Sequence, residues 1–254
     1  ESNEATEFDL PEGVARFGYG GSPTVDEGRA VLTHTSPTTR PDLLIYDYSI
    51  HDSEVLVEAV HGTFDSSDFV DAEYLRFNSN GIPEAQQTAI KHDPYKSLDI
   101  GALLYDSDER PSPLIVNPHG GPSARDTKSF DLYTQVLLSQ GFSVLQINYR
   151  GSTGRGREFV RELHDDWGGA EQGDIMTGLE HVKETYDWID DDRIAVFGGS
   201  YGGYSAYWQL VQYPDQYDAG VAWIGVTDLE DIFKNTMPHY RTELMEKYLG
   251  TPRE

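Results

Sequence analysis

Arg193-Ile194-Ala195-Val196-Phe197-Gly198-Gly199-Ser200-Tyr201-Gly202-Gly203-Tyr204 runs from a short apolar stretch into a glycine-rich turn and on into an amphipathic segment that reaches Tyr213. Strand, G-x-S-x-G turn and helix in that order make a nucleophile elbow. Small residues two before and two after the serine let the backbone fold tightly enough to lift the hydroxyl above a sheet. The bare motif also arises as an ordinary glycine-rich turn, so the strand before it and the helix after it carry the assignment. Ser200 is the candidate nucleophile.

Working outward, Leu114-Ile115-Val116 is a continuous apolar run, residues 129–140 have helical spacing, and 142–149 alternate as a strand. Asp174 to Trp188 reads as the next helix, with Ile175, Leu179, Val182 and Tyr186 on one face, and Ala219 to Val226 as a further apolar strand. Such alternation predicts the α/β class, with a mostly parallel sheet covered on both faces and ligands at the carboxyl ends of its strands. His119-Gly120-Gly121-Pro122 directly follows one apolar run. Acyl transfer needs two aligned N–H donors for the tetrahedral oxyanion, one after the nucleophile and one from a loop behind an early strand. Those donors are expected at Tyr201 and Gly121. His119 precedes the serine, the wrong side for a catalytic base in such an arrangement, and is read as bracing the loop.

The first 75 residues read differently. Ala30 to His34, Leu43 to Asp47 and Val55 to Val57 are β-prone runs separated by Ser36-Pro37-Thr38-Thr39-Arg40-Pro41, which is loop chemistry. Three or four short meandering strands amount to about one propeller blade, which cannot bury both of its faces alone. The expected division is a propeller-like remnant over 1–75, a polar linker or insertion over 76–97 with some helical potential from Glu84 to Lys91, and a catalytic domain over 98–254.

Composition limits the partners. Against 19 basic residues stand 44 acidic ones, a formal charge of −25 in 254 residues. Phosphate binding needs the opposite sign, so nucleic acid is excluded as a partner. Only 6 of the basic residues are lysine. Acids spread over the whole chain with few lysines resemble the surfaces of proteins from salt-loving archaea, where dense counterions screen self-repulsion. No window approaches the roughly 18 uncharged apolar residues of a membrane span, and Glu1-Ser2-Asn3-Glu4 opens no signal peptide, so no membrane partner and a cytoplasmic location are expected. The absence of cysteine removes disulfides, thiolate metal sites and thiol nucleophiles. The acids at Asp106 to Glu109 and at Asp191-Asp192 read as solvated loop charge, and metal dependence has no support.

Asn117 to Pro122, Asn148-Tyr149-Arg150-Gly151-Ser152-Thr153-Gly154, Trp167-Gly168-Gly169 with Asp174, and Gly198 to Tyr204 follow one another in a recognisable order. Together they resemble the prolyl oligopeptidase family of serine peptidases, most of all its acylaminoacyl-peptidase and dipeptidyl-peptidase-like branch, over residues of roughly 98 to 250. The resemblance implies an α/β-hydrolase fold preceded by the last blade of a propeller. It also implies hydrolysis of short peptides or acyl-peptides through an acyl-serine, without a cofactor.

Two departures stand against that pattern. The segment 78–97 is longer and more polar than the family's short hairpin. The family's triad aspartate lies about eighty residues after the serine and its histidine about thirty beyond that, whereas this sequence stops at Glu254. Asp228, Asp231 and His239 follow Ser200 in the right order, but as a substitute triad they are disfavoured. The expectation is therefore a chain inactive or weakly active alone, with the last strand left as an unpaired edge open to a second copy or to a complementing C-terminal chain. Two rival readings stay open: a carboxylesterase of the same fold, and a non-catalytic fragment or subunit.

Overall fold

The computed structural model describes residues 7–17, 24–26, 28–60, 62–81 and 97–250. The expected helical potential at Glu84 to Lys91, and most of the 76–97 insertion, lie outside them. Two compact units emerge, one comprising 1–72 with 127–136 and the other 73–126 with 137–254.

The first unit is antiparallel. Strands β1 (Val14–Phe17), β2 (Thr24–Asp26), β3 (Arg29–Thr35), β4 (Asp42–Asp47) and β5 (Asp52–Val57) form a sheet of order β1-β3-β4-β5, with β2 also on β3. β3 and β4 pair in the register Ala30↔Tyr46, Leu32↔Leu44 and His34↔Asp42, and these residues are buried together. A period of two thus puts one face of the meander inside. The other face is only partly covered, and Val55, Leu56 and Val57 of β5 are more than half exposed.

In the second unit β6 (Ala72–Ser79), β7 (Leu98–Tyr105), β8 (Ser112–Pro118), β9 (Ser143–Asn148), β10 (Ile189–Gly199) and β11 (Ala219–Trp223) form a sheet of order β11-β10-β8-β9-β7-β6. β8 pairs in parallel with β9 and with β10, and β10 in parallel with β11, while β7 runs antiparallel to β9. Every residue of β9 is buried, as expected of an interior strand covered on both faces. Helix α1 (Leu132–Ser139) begins in the residues of the first unit and ends in those of the second, whereas helices α2 (Arg157–Arg161), α3 (Ala170–Thr185), α4 (Tyr201–Gln212) and α5 (Leu229–Asn235) follow the strands of this unit. The core gathers Ile100, Leu114, Val116, Leu145, Ile147, Ile175, Leu179, Val182 and Val196.

Some boundaries differ from expectation. α3 begins at Ala170 and ends at Thr185, so Tyr186 is its extended cap and not part of its apolar face. β10 begins at Ile189, so Asp191 and Asp192 lie exposed within a strand and not in a loop. β11 ends at Trp223, three residues before Val226, and is the outermost strand of the sheet among the described residues.

Candidate active site

β8 lies between β9, the next strand in the chain, and β10, which comes later, so the chain order reverses across β8. Crevices of open α/β sheets form at the carboxyl ends beside such a reversal. His119 to Pro122 leave the end of β8, and Ser200 stands at the end of β10.

The turn at Ser200 is strained and closely supported. Its φ of 57° and ψ of −117° belong to a region that residues other than glycine rarely enter. The Ser200 N–H donates to the Trp223 carbonyl at 3.0 Å, and the Ser200 carbonyl accepts from the Tyr204 N–H at 3.0 Å. A β-carbon at Gly198 would collide with the Gly202 carbonyl, and one at Gly202 with the Pro118 carbonyl, which explains glycine on both sides of the serine. Ser200 itself is exposed, and its hydroxyl has no hydrogen-bond partner among the described residues.

The loop after β8 lies against this turn. The α-carbon of Gly120 faces the elbow so closely that a β-carbon there would stand 3.0 Å from the Gly199 carbonyl oxygen and 3.6 Å from the Ser200 β-carbon. Gly121 has a φ of 124°, the conformation glycine tolerates. Among the described residues neither the Gly121 nor the Tyr201 N–H has an acceptor. Asn117 donates from Nδ2 to the Phe197 carbonyl at 2.6 Å, tying β8 to β10 just below the two loops.

His119 sits within the loop's support. Its ring stacks on Tyr149 with centroids 4.3 Å apart. Nδ1 lies 2.8 Å from the Gly120 carbonyl and Nε2 2.8 Å from Ser152 Oγ, whose hydroxyl donates to the Tyr149 carbonyl at 2.6 Å, so both ring nitrogens are engaged. Burial holds its pKa down to about 4, so the ring is uncharged at neutral pH. The Tyr149 hydroxyl donates to the His119 carbonyl at 2.8 Å. Tyr149 and Ser152 belong to the Asn148–Gly154 motif, but nothing in their spacing announced that they hold His119.

Behind the elbow, Tyr201 is buried and its hydroxyl donates to Glu171 Oε1 at 2.7 Å. The same oxygen accepts from the Gly168 N–H at 2.7 Å and from Gln172 Nε2 at 2.9 Å. Burial pushes the Glu171 carboxyl up to about 7, while the bonds from Tyr201 and Gln172 pull it down. Arg150 and Asp174 form a wholly buried pair, with Nε and Nη2 each 2.8 Å from a carboxylate oxygen and the Arg150 N–H also 2.8 Å from Asp174 Oδ2. On the loop side, Ser123 and Tyr248 hydrogen-bond through their hydroxyls.

The substitute triad does not assemble. Asp228 caps α5 by accepting from the Asp231 N–H at 2.9 Å, and Asp231 accepts from Asn235 at 2.7 Å. His239 is exposed and its ring rests on Tyr240. Among the described residues none of the three hydrogen-bonds to Ser200. His164 and His181 are half-buried, against Tyr248 and Phe77 respectively.

A central β8 flanked by β9 and β10, with a serine raised on a strained turn at the end of β10, defines an α/β-hydrolase. Residues 128–253 match the model of the prolyl oligopeptidase family. Among curated proteins it is 34% identical over 148 residues to dipeptidyl aminopeptidase BIII of Pseudoxanthomonas mexicana, covering 57% of this chain and 21% of that one. It is 33% identical over 162 residues to the acylamino-acid-releasing enzyme of Sus scrofa, covering 59% of this chain and 22% of that one. The chain thus spans about a fifth of the length of these relatives. Among solved structures, a puromycin hydrolase superposes with a TM-score of 0.77 at 26% identity, over 91% of this chain and 34% of that one. The acylaminoacyl peptidase of Pyrococcus horikoshii superposes at 0.74 with 21% identity, over 91% and 34%, and supports the fold.

Proposed function

We propose that this chain carries the nucleophile half of a serine peptidase that cleaves short peptides or acyl-peptides through an acyl-serine on Ser200. One observation supports the reading most: an exposed serine hydroxyl stands on a strained turn with the Gly120 loop packed against it, and the N–H groups of Gly121 and Tyr201 have no acceptor among the described residues. Ser200 Oγ attacks the scissile carbonyl, and the oxyanion receives those two N–H groups. A general base must take the serine proton, and the neutral, fully engaged His119 does not face it. Removing a triad member leaves only about 10³ to 10⁴ of acceleration over water. On this reading the chain is inactive or weakly active alone, and full activity needs an aspartate and a histidine supplied to Ser200 from outside the described residues.

The same reading takes 1–75 as a propeller remnant, 76–97 as a linker or insertion and 98–254 as the catalytic domain. It places the protein in the cytoplasm of a salt-loving cell, and has the β11 edge paired by a second copy or a complementing chain. The alternatives are a carboxylesterase and a non-catalytic subunit. Comparing rates on an acyl-aminoacyl anilide and a p-nitrophenyl ester, with Ser200→Ala as control, separates the three. Preference for the anilide supports the peptidase, preference for the ester supports the esterase, and no Ser200-dependent turnover in a form that supplies the missing aspartate and histidine supports the subunit.

A further inference from the structure

Arg40 follows the turn between β3 and β4 and is 7% exposed, yet it forms no ion pair and no hydrogen bond among the described residues. Its guanidinium carbon lies 4.8 Å from the centre of the Phe69 ring and 5.4 Å from that of Phe130. These two rings pack edge to face, 4.9 Å apart. Such stacking fixes the plane of a guanidinium but meets none of its N–H donors. Nε is closed off from solvent without an acceptor, and the side chain lines a cavity of about 320 Å³.

Buried charges are ordinarily paired, because an unmet guanidinium loses its hydration without recompense. Three acids share the cavity wall, and none of them pairs with Arg40. Asp42 is turned to the backbone, accepting from the Ala59 N–H at 2.7 Å. Asp65 accepts from the Ser67 N–H at 2.8 Å, and Glu58 is exposed. A guanidinium stacked on two rings, with its Nε shut off from solvent and unmet, suits a planar acceptor with two oxygens. A dianionic tetrahedral group would meet about twice the repulsion from those three acids that a singly charged carboxylate meets.

We propose that the Arg40 cavity is a binding site for a carboxylate group, either of a free small acid or of an acidic side chain from another stretch of polypeptide. The site belongs to the first unit and is independent of the chemistry at Ser200. It is tested on the full chain, labelled with ¹⁵N, by following the Arg40 Nε–Hε resonance, assigned through its backbone link to Thr39, at fixed ionic strength in KCl. If the carboxylate comes from a free acid, the resonance starts in the unbonded position and sodium acetate moves it saturably downfield. Inorganic phosphate then binds at least about tenfold more weakly, because the acids of the wall repel a dianion about twice as strongly as a carboxylate. If the carboxylate comes from the polypeptide, the resonance is downfield before any addition and returns to the unbonded position as the pH falls through the carboxylate range. The proposal is overturned by an unbonded resonance that decimolar acetate does not move, by phosphate binding as tight as acetate, or by a downfield resonance insensitive to acid.

Discussion

The α-carbon of Gly202 faces the carbonyl oxygen of Pro118 so closely that no β-carbon fits between them. The first turn of α4 is thereby seated on the end of β8, and the serine at one end of that contact meets the glycine loop at the other.

Gly202→Ala and Gly198→Ala must each push backbone against backbone, and overpacking of this kind costs about 1 to 3 kcal/mol or more. Gly199→Ala is the control, since its β-carbon would meet nothing nearer than 3.5 Å. Urea unfolding in molar KCl is expected to show the first two variants clearly destabilised and Gly199→Ala within about 1 kcal/mol of the parent.

The buried Arg150–Asp174 pair separates local from global electrostatics. Asp174→Asn leaves a buried guanidinium without its partner, a change that costs about 3 to 5 kcal/mol. This loss is expected to be nearly the same at decimolar and molar KCl, because salt screens buried pairs little. The parent chain, with its charge of −25, is expected to gain thermal stability over the same range. Equal melting temperatures in the two salts would contradict the halophilic reading.

His119 makes stability fall with acid. Its pKa is near 4 when folded against an ordinary 6.5, so the unfolded chain binds the proton first. The contribution is complete above pH 6.5 and is lost as pH falls through 4, reaching up to about 3 kcal/mol. His119→Gln should flatten that part of the stability profile, and the His119 ring should titrate near 4 by NMR.

Glu171 acts with the opposite sign. Its carboxyl is near 7 when folded and 4.5 ordinarily, so its contribution is complete below pH 4.5 and is lost as pH rises through 7. Glu171→Gln, which keeps the shape and removes the titration, is expected to reduce the fall in stability across that interval. An unchanged slope in the variant would show that the carboxyl is already ionised at the lower pH.

The elbow was legible because its geometry demands glycine at two fixed places, and the order of strands and helices was legible because β8, β9 and β11 are apolar runs. What escaped the sequence was polar residues placed inside. Ala170, Glu171, Gln172 and Asp174 are all buried at the start of α3, so a reading that equates polarity with exposure starts that helix at Asp174. Likewise Asp190 to Asp192 look like a loop, yet they extend β10 toward Ile189, which pairs with Ser112 across an irregularity in the ladder. The bracing of His119 by Tyr149 and Ser152 joins residues some thirty positions apart, a relation that no local pattern encodes.

The most direct test of the proposed chemistry is fluorophosphonate labelling read by intact mass, on the 254-residue chain, on a form with the family's aspartate and histidine restored beyond Glu254, and on Ser200→Ala of each. The account predicts one stoichiometric adduct on Ser200 in the restored form, labelling slower by several powers of ten in the chain alone, and none in either alanine variant. An adduct that survives Ser200→Ala, or no adduct in the restored form, would contradict it.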